Sequence, residues 1–303
     1  MSQYTHNLQV RTEMPFEHVG DSILHGIGIK KKPFIVKPRT VKPFIKWVGG
    51  KGAIAPVITK KLPNKISNYY ELFTGGGALF FYLHHITENA ILSDSNSALM
   101  TVYQVIKSDV ENLIDELHQH QKNHNKEYFY NIRRKHNLTD SIEIAARFIY
   151  LNKTCYNGLY RVNRKGEFNV PMGSYIKPII CNENNLRLCS KALQNVTIRS
   201  SSFEDIDIVS GSVIYCDPPY DCAYNNYQVE QFSNRMQELL MHKAIEWYKN
   251  GCKVVISNSD TKFIRELYAR KIFTIHEIIA PRSVSCKNEG RGKTRELLII
   301  ANG

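Results

Sequence analysis

The apolar run Val213-Ile214-Tyr215-Cys216 stops at Asp217-Pro218-Pro219-Tyr220, and this junction constrains the fold more than any other stretch. A short uninterrupted apolar run reads as a strand buried on both faces of a parallel sheet. Pro218 has no backbone donor and biases Asp217 towards an extended conformation, so the strand ends there. In open α/β sheets ligands bind beyond the carboxyl ends of the strands. An acid held at that edge and followed by an aromatic can grip a planar, amine-bearing ring. The Asp217 carboxylate and the Asp217 and Pro218 carbonyls supply acceptors, and Tyr220 supplies a stacking face. A strand end with a rigid turn accounts for the tetrapeptide equally well.

The chain has 303 residues, enough for one large domain or for a domain with a big insertion. Its formal charge of +12 points to a polyanionic partner, of which nucleic acid is the commonest. The seven cysteines, Cys155, Cys181, Cys189, Cys216, Cys222, Cys252 and Cys286, form no C-x-x-C pair and no zinc-type spacing with histidine. Reduced buried thiols in a soluble cytoplasmic protein are therefore expected, with no metal site. No apolar stretch is long enough to span a membrane, and the polar N-terminus does not read as a signal peptide.

Residues 1–42 lack periodicity and end in a basic, proline-spaced run, so a flexible arm is expected. Phe44 to Lys51 wraps aromatic and basic side chains around Gly49-Gly50, which suits either a ligand approach or a plain turn. Tyr69 to Phe73 has strand composition and runs into Thr74-Gly75-Gly76-Gly77 and an apolar helix start. Strand, glycine bend and helix is the arrangement that cradles nucleotide-like ligands. A second strand ends at Asp94, about twenty residues past the glycines, where an acid commonly takes ribose hydroxyls.

Ser95 to about Tyr150 reads as helical, with a capping box from Ser108 to Glu111 and a last helix over 141–151 that buries Ile144, Ala145, Phe148 and Ile149. Residues 152–178 interleave amides, cations and aromatics around an Asn163-Arg164-Lys165-Gly166 turn. Such a hairpin suits a DNA groove, and a solvated basic hairpin is the plainer alternative. Strands are expected over 196–199, 253–257, 273–279 and 297–301, with helices over 230–249 and 262–268 and Gly251 as a C-cap. The basic segments 282–285 and 291–295 read as a loop able to contact phosphate.

In this order, F-I-K-W-V-G-G-K, E-L-F-T-G-G-G, S-D-S-N, Y-N-G-L-Y-R-V-N-R-K-G-E-F-N-V-P-M-G-S-Y and D-P-P-Y resemble the Dam-type (alpha-class) DNA adenine N6-methyltransferases from Pro43 to the C-terminus. The resemblance implies a Rossmann-like α/β methyltransferase sheet over 43–96 and 191–303, with a helical and β-hairpin target-recognition domain inserted over 97–190. It implies S-adenosylmethionine as methyl donor, with Trp47, Lys51, Glu71, Phe73, Gly75, Gly77, Asp94 and Asp217 at its site and Phe203-Glu204-Asp205 bordering its adenine ring. Asp217, Pro218, Pro219 and Tyr220 would carry catalysis on an adenine flipped out of duplex DNA. Lys46, Tyr156, Asn157, Leu159, Arg161, Pro171 and Tyr175 would contact DNA, and all match enzymes that act at GATC. Ser174 stands where some relatives carry a cation, and the N-terminal arm has no counterpart.

The resemblance also implies a bacterial or phage-infected cytoplasm and a monomer, with two molecules on a palindromic site as the alternative. Two further readings are another planar amine as acceptor, in cytosine, RNA or a glutamine side chain, and a DNA-binding relative without catalysis.

Overall fold

A computed structural model describes residues 41–220, 232–281 and 293–302, except the side chains of residues 280, 281, 293 and 294. Residues 1–40 of the N-terminal arm, residues 221–231 and the basic segments 282–285 and 291–292 lie outside the described residues, whereas the Lys42 backbone at the end of the arm accepts from and donates to the Asn185 amide.

Seven strands form one sheet: β1 (Ile66–Glu71), β2 (Thr87–Asp94), β3 (Val196–Ser200), β4 (Val213–Cys216), β5 (Lys253–Ser259), β6 (Phe273–Pro281) and β7 (Lys293–Ala301). Their order is β3-β2-β1-β4-β5-β7-β6. The first five are parallel, whereas β7 runs antiparallel between β5 and β6. The apolar run at residues 213–216 forms the central β4, buried at every position.

Alternation along the strands explains why the sheet is covered twice. Tyr69, Tyr215, Val255, Leu298 and Ile300 enter one apolar core, while Tyr70, Ile214, Cys216, Val254, Ile256, Leu297 and Ile299 enter the other. On the first face lie α1 (Ala55–Thr59), α2 (Ala78–Leu83), α3 (Ser97–Ser108), α4 (Val110–Asn123), α5 (Lys126–Arg134), α6 (Ser141–Thr154) and α7 (Glu183–Leu193). On the second lie α8 (Asn234–Lys249) and α9 (Lys262–Leu267). The helices between β2 and β3 share one continuous core with the sheet face they cover.

The helical stretch after β2 is divided. Asn96, Asn125 and Asp140 each cap a new helix by accepting a backbone N–H, at α3, α5 and α6. The expected capping box is corrected: Ser108 is the last residue of α3 and donates to Gln104 O, while Asp109 stands at the start of α4 without a side-chain cap. Ala145, Phe148 and Ile149 are buried and Ile144 only partly so, and α6 extends to Thr154. Asn250 ends α8, and Gly251 follows at φ +79° with its N–H on Tyr248 O. Residues 293–295 belong to β7 and not to a loop. Arg295 lies near Asp260 and Glu277, which offsets the idea that it is a free cation for phosphate.

Four of the five described cysteines are buried, and all five are unbridged. Among the described residues no helix is long and apolar enough to cross a membrane.

Candidate active site

Strand order alone opens a crevice. From β1 the chain proceeds outward to β2 and β3, and from β4 it proceeds the other way to β5, so the carboxyl ends of β1 and β4 flank the switch point where ligands bind in such sheets. Glu71 lies beside Tyr215 in register, and Leu72 N–H donates to Tyr215 O at 3.2 Å. The glycine loop after β1 and the D-P-P-Y turn after β4 therefore start side by side.

The glycine loop is held from three directions. Thr74 Oγ1 is 3.0 Å from both Glu71 O and Ser93 O, and Tyr103 of α3 donates to Gly75 O at 3.0 Å. Asp94 accepts from Gly75 N–H on Oδ2 at 2.9 Å and from Asn96 N–H on Oδ1 at 3.0 Å, so it ties the loop to the end of β2. Burial raises its pKa, and those two backbone bonds pull it back. Trp47 covers the loop and stacks with Phe148 and Tyr160 at ring distances of 6.4 and 5.8 Å. Phe73 packs on Phe203 at 5.4 Å, at the edge where Phe203-Glu204-Asp205 forms a short helical turn.

Two glycines in this loop have no substitute. Gly75 has φ +48°, and a Cβ there would meet Trp47 Nε1 at 2.5 Å; Gly77 has φ +62° and would meet the Tyr103 hydroxyl at 2.5 Å. Gly75→Ala is therefore expected to lose at least about 1–2 kcal/mol from the left-handed backbone alone, read as a lower urea midpoint.

Lys51 is the centre of the charge arrangement. The turn at Gly49 brings its ammonium 2.6 Å from Gly49 O and 2.8 Å from Asp217 Oδ2, with Lys51 only 5% and Asp217 19% exposed. The same ammonium sits over the Tyr220 ring, 4.9 Å from its centroid. Asp217 Oδ1 is buried with no hydrogen-bond partner among the described residues. Burial raises the Asp217 pKa, and Lys51 is the chief influence in the other direction. An unpaired buried carboxylate oxygen is costly, and a ligand amine would satisfy it.

Glu71 lies beneath, 3% exposed, accepting from Tyr69 Oη at 2.7 Å. Burial pushes its pKa up to about 8, with the Tyr69 bond opposing the rise and Asp217 adding to it. Folded Glu71 thus keeps its proton to a higher pH than in the unfolded chain, where glutamate titrates near about 4.3. The folded state binds the extra proton between those values, so Glu71 makes stability fall as pH rises through that window. Glu71→Gln is expected to flatten the slope by up to about 1.4 kcal/mol per pH unit, measured from urea midpoints across that window.

The residues expected to read DNA form a second group. Asn152, buried at the end of α6, accepts from Lys46 N–H at 2.8 Å and donates to Lys46 O at 2.8 Å and Gly158 O at 3.0 Å. It joins the Lys46 segment to the start of the hairpin. Lys46 carbons pack on Gly158, and its ammonium lies 4.0 Å above the Tyr175 ring. Tyr156 N–H donates to Pro171 O, and Asn157 takes a left-handed φ of +54°. Leu159 N–H donates to Tyr156 O, so Lys46, Tyr156, Leu159, Pro171 and Tyr175 are brought together. Arg161 projects further along, exposed, with Nε on Asn169 Oδ1 at 2.7 Å. The turn at Gly166 closes the hairpin, paired at Val162 and Phe168.

Motif reasoning missed Tyr103, Gln237, Asn258 and Glu296. Each is an ordinary residue of a helix or strand, and its partner lies elsewhere in the chain.

Sheet and crevice together define a Rossmann-like α/β class. The model of the D12 class N6 adenine-specific DNA methyltransferases matches residues 47–284, and the chain belongs to that family. The type II methyltransferase M.MjaIII of Methanocaldococcus jannaschii is 40% identical, over 86% of this chain and 99% of that relative. The type II methyltransferase M1.LlaDCHI of Lactococcus lactis subsp. cremoris is 36% identical, over 87% and 96%. The DNA adenine methylase of Haemophilus influenzae is 34% identical, over 90% and 98%.

Proposed function

We propose that the protein transfers a methyl group from S-adenosylmethionine to the exocyclic amine of adenine in duplex DNA, within GATC, on a base flipped out of the helix. The observation that carries this reading is the buried Asp217 Oδ1, without a hydrogen-bond partner among the described residues, beside the Lys51 ammonium at the carboxyl end of the central strand. Family membership supplies the acceptor: adenine N6 in DNA.

The residues of the crevice fit the methyl donor. Trp47 roofs the loop that Gly75 and Gly77 permit, Asp94 anchors it, and Phe73 lines its edge, with Lys51, Glu71 and Asp217 at its floor. S-adenosylmethionine, when bound, supplies an electrophilic methyl on a positively charged sulfur. Adenine's amine is a weak nucleophile because its lone pair is delocalised into the ring. Hydrogen bonds from that amine to Asp217 Oδ1 and to the Pro218 carbonyl would favour a tetrahedral nitrogen and aim its lone pair. The displacement needs alignment more than a strong base. The same acceptors stabilise positive charge as it develops on nitrogen. A stacked base cannot reach this edge, so the adenine must leave the duplex, and Tyr220 offers it a stacking face.

We assign recognition to residues 97–190, with Lys46 added from outside. Arg161 is the candidate for a guanine edge and Leu159 for an apolar contact, while Tyr156 and Asn157 stand nearest the space the base vacates. The net charge of +12 suits a duplex partner. A monomer is the proposed working unit, in a bacterial or phage-infected cytoplasm.

Single-molecule sequencing of DNA from cells expressing the protein tests the whole reading, because it reports base and context together. N6-methyladenine within GATC is the expected result. A modified cytosine, or methylated adenine in another context, would overturn acceptor or specificity respectively.

A further inference from the structure

The backbone of the D-P-P-Y turn is fixed by a chain of buried amides. Asn258 Oδ1 accepts from Ser259 N–H at 2.9 Å, which leaves Asn258 Nδ2 to donate to Gln237 Oε1 at 2.9 Å. Gln237 Nε2 must then face the other way, and it donates to Pro219 O at 3.0 Å. Asn258 and Gln237 are 0% and 1% exposed, so neither amide can exchange its partner for water. These bonds hold the peptide that carries Tyr220. They leave its ring free to turn about the side-chain bonds.

The tip of the ring is held by Glu296, with the Asp217 carboxyl also close to the Tyr220 hydroxyl. Because β7 runs antiparallel to β5, with Glu296 opposite Ser259, its early residues reach the carboxyl edge where the parallel strands end. There the Tyr220 hydroxyl donates to Glu296 Oε2 at 2.9 Å. Backbone and ring tip are thus gripped from different elements, α8 with β5 on one side and β7 on the other. The Lys51 ammonium on the ring adds a third contact.

We infer that Glu296 is a positioning residue for methyl transfer: its hydrogen bond to the Tyr220 hydroxyl sets the plane on which the flipped base lies. The inference rests on the proposed adenine methylation. Glu296 would touch neither base nor donor and would act through the Tyr220 ring. An error of a fraction of an ångström in a stacked base misdirects the lone pair, and misplacement by about 1 Å can cost about 10²-fold in rate.

The test is a double-mutant cycle on single-turnover methylation with saturating S-adenosylmethionine. The duplex carries one GATC site, and a companion duplex has 2-aminopurine in place of the target adenine. Glu296→Ala and Tyr220→Phe are each expected to slow transfer by about 10-fold. The double variant should be no slower than the slower single, because both break the same bond. Glu296→Gln keeps an acceptor oxygen and is expected to restore the rate to within about 3-fold. Duplex affinity should stay within about 2-fold, while 2-aminopurine fluorescence in the complex differs from wild type in Glu296→Ala and returns in Glu296→Gln.

An unchanged rate in Glu296→Ala, or losses that multiply in the double variant, would overturn the inference. Both outcomes are read against an active wild type. A wild type that transfers no methyl to adenine would instead defeat the proposed function.

Discussion

Asp217→Ala is expected to slow methyl transfer to DNA by about 10²–10³-fold, the usual range for losing a preorganised group at a developing charge, with duplex binding nearly unchanged. Asp217 Oδ1, without a hydrogen-bond partner among the described residues, is the proposed acceptor for the reacting amine, and Asp217 takes no part in the hairpin expected to hold DNA. Stability should fall as well. Lys51 is buried against Asp217 Oδ2, Gly49 O and the Tyr220 ring, and removing one member of a buried ion pair typically costs about 3–5 kcal/mol. The double variant with Lys51→Met removes both charges and should regain much of that stability, without regaining activity. Urea melts and single-turnover rates on the three variants separate the two effects. An Asp217→Ala protein with full transfer would show that the carboxylate is not an acceptor for the amine.

Lys51→Met alone is expected to displace the pH dependence of transfer. Burial raises the Asp217 pKa above the ordinary aspartate value, and Lys51 is what chiefly restrains the rise. In the proposed reaction Asp217 accepts as an ionised carboxylate, so the rate is expected to fall as pH drops through the Asp217 pKa. Without the ammonium that pKa climbs further, and the acid limb of the rate profile moves to higher pH. At neutral pH a loss of about 10²-fold is expected, partly recovered as pH increases. An acid limb that stays in place would mean that Lys51 acts on the donor and not on Asp217.

The centre of the sheet was legible because β4 is a continuous apolar run cut by Asp and Pro. Residues 213–216 are buried at all four positions for that reason. The glycine loop was legible because Gly75 and Gly77 take left-handed backbone that other residues resist. Local signals failed where two readings share one pattern. Ser108 followed by Glu111 matches a capping box, yet Ser108 closes the preceding helix.

Long-range contacts left no local pattern at all. Gln237, Asn258 and Glu296 support the D-P-P-Y turn from α8, β5 and β7, and an isolated amide or acid within a helix or strand carries no sign of such a partner. Lys51 shows a milder form of the problem. The family resemblance assigned it to the donor pocket, whereas only the fold shows its ammonium on Asp217.

The central claim is that the crevice between β1 and β4 methylates the amine of adenine in DNA. Nucleoside analysis of a duplex with one GATC site, incubated with the purified protein and isotopically labelled S-adenosylmethionine, tests it most directly. Label in N6-methyladenine is expected, accumulating about 10²–10³-fold more slowly when Asp217→Ala replaces the wild type. Label in a methylated cytosine, or a duplex left unlabelled by a folded wild-type protein, would contradict it.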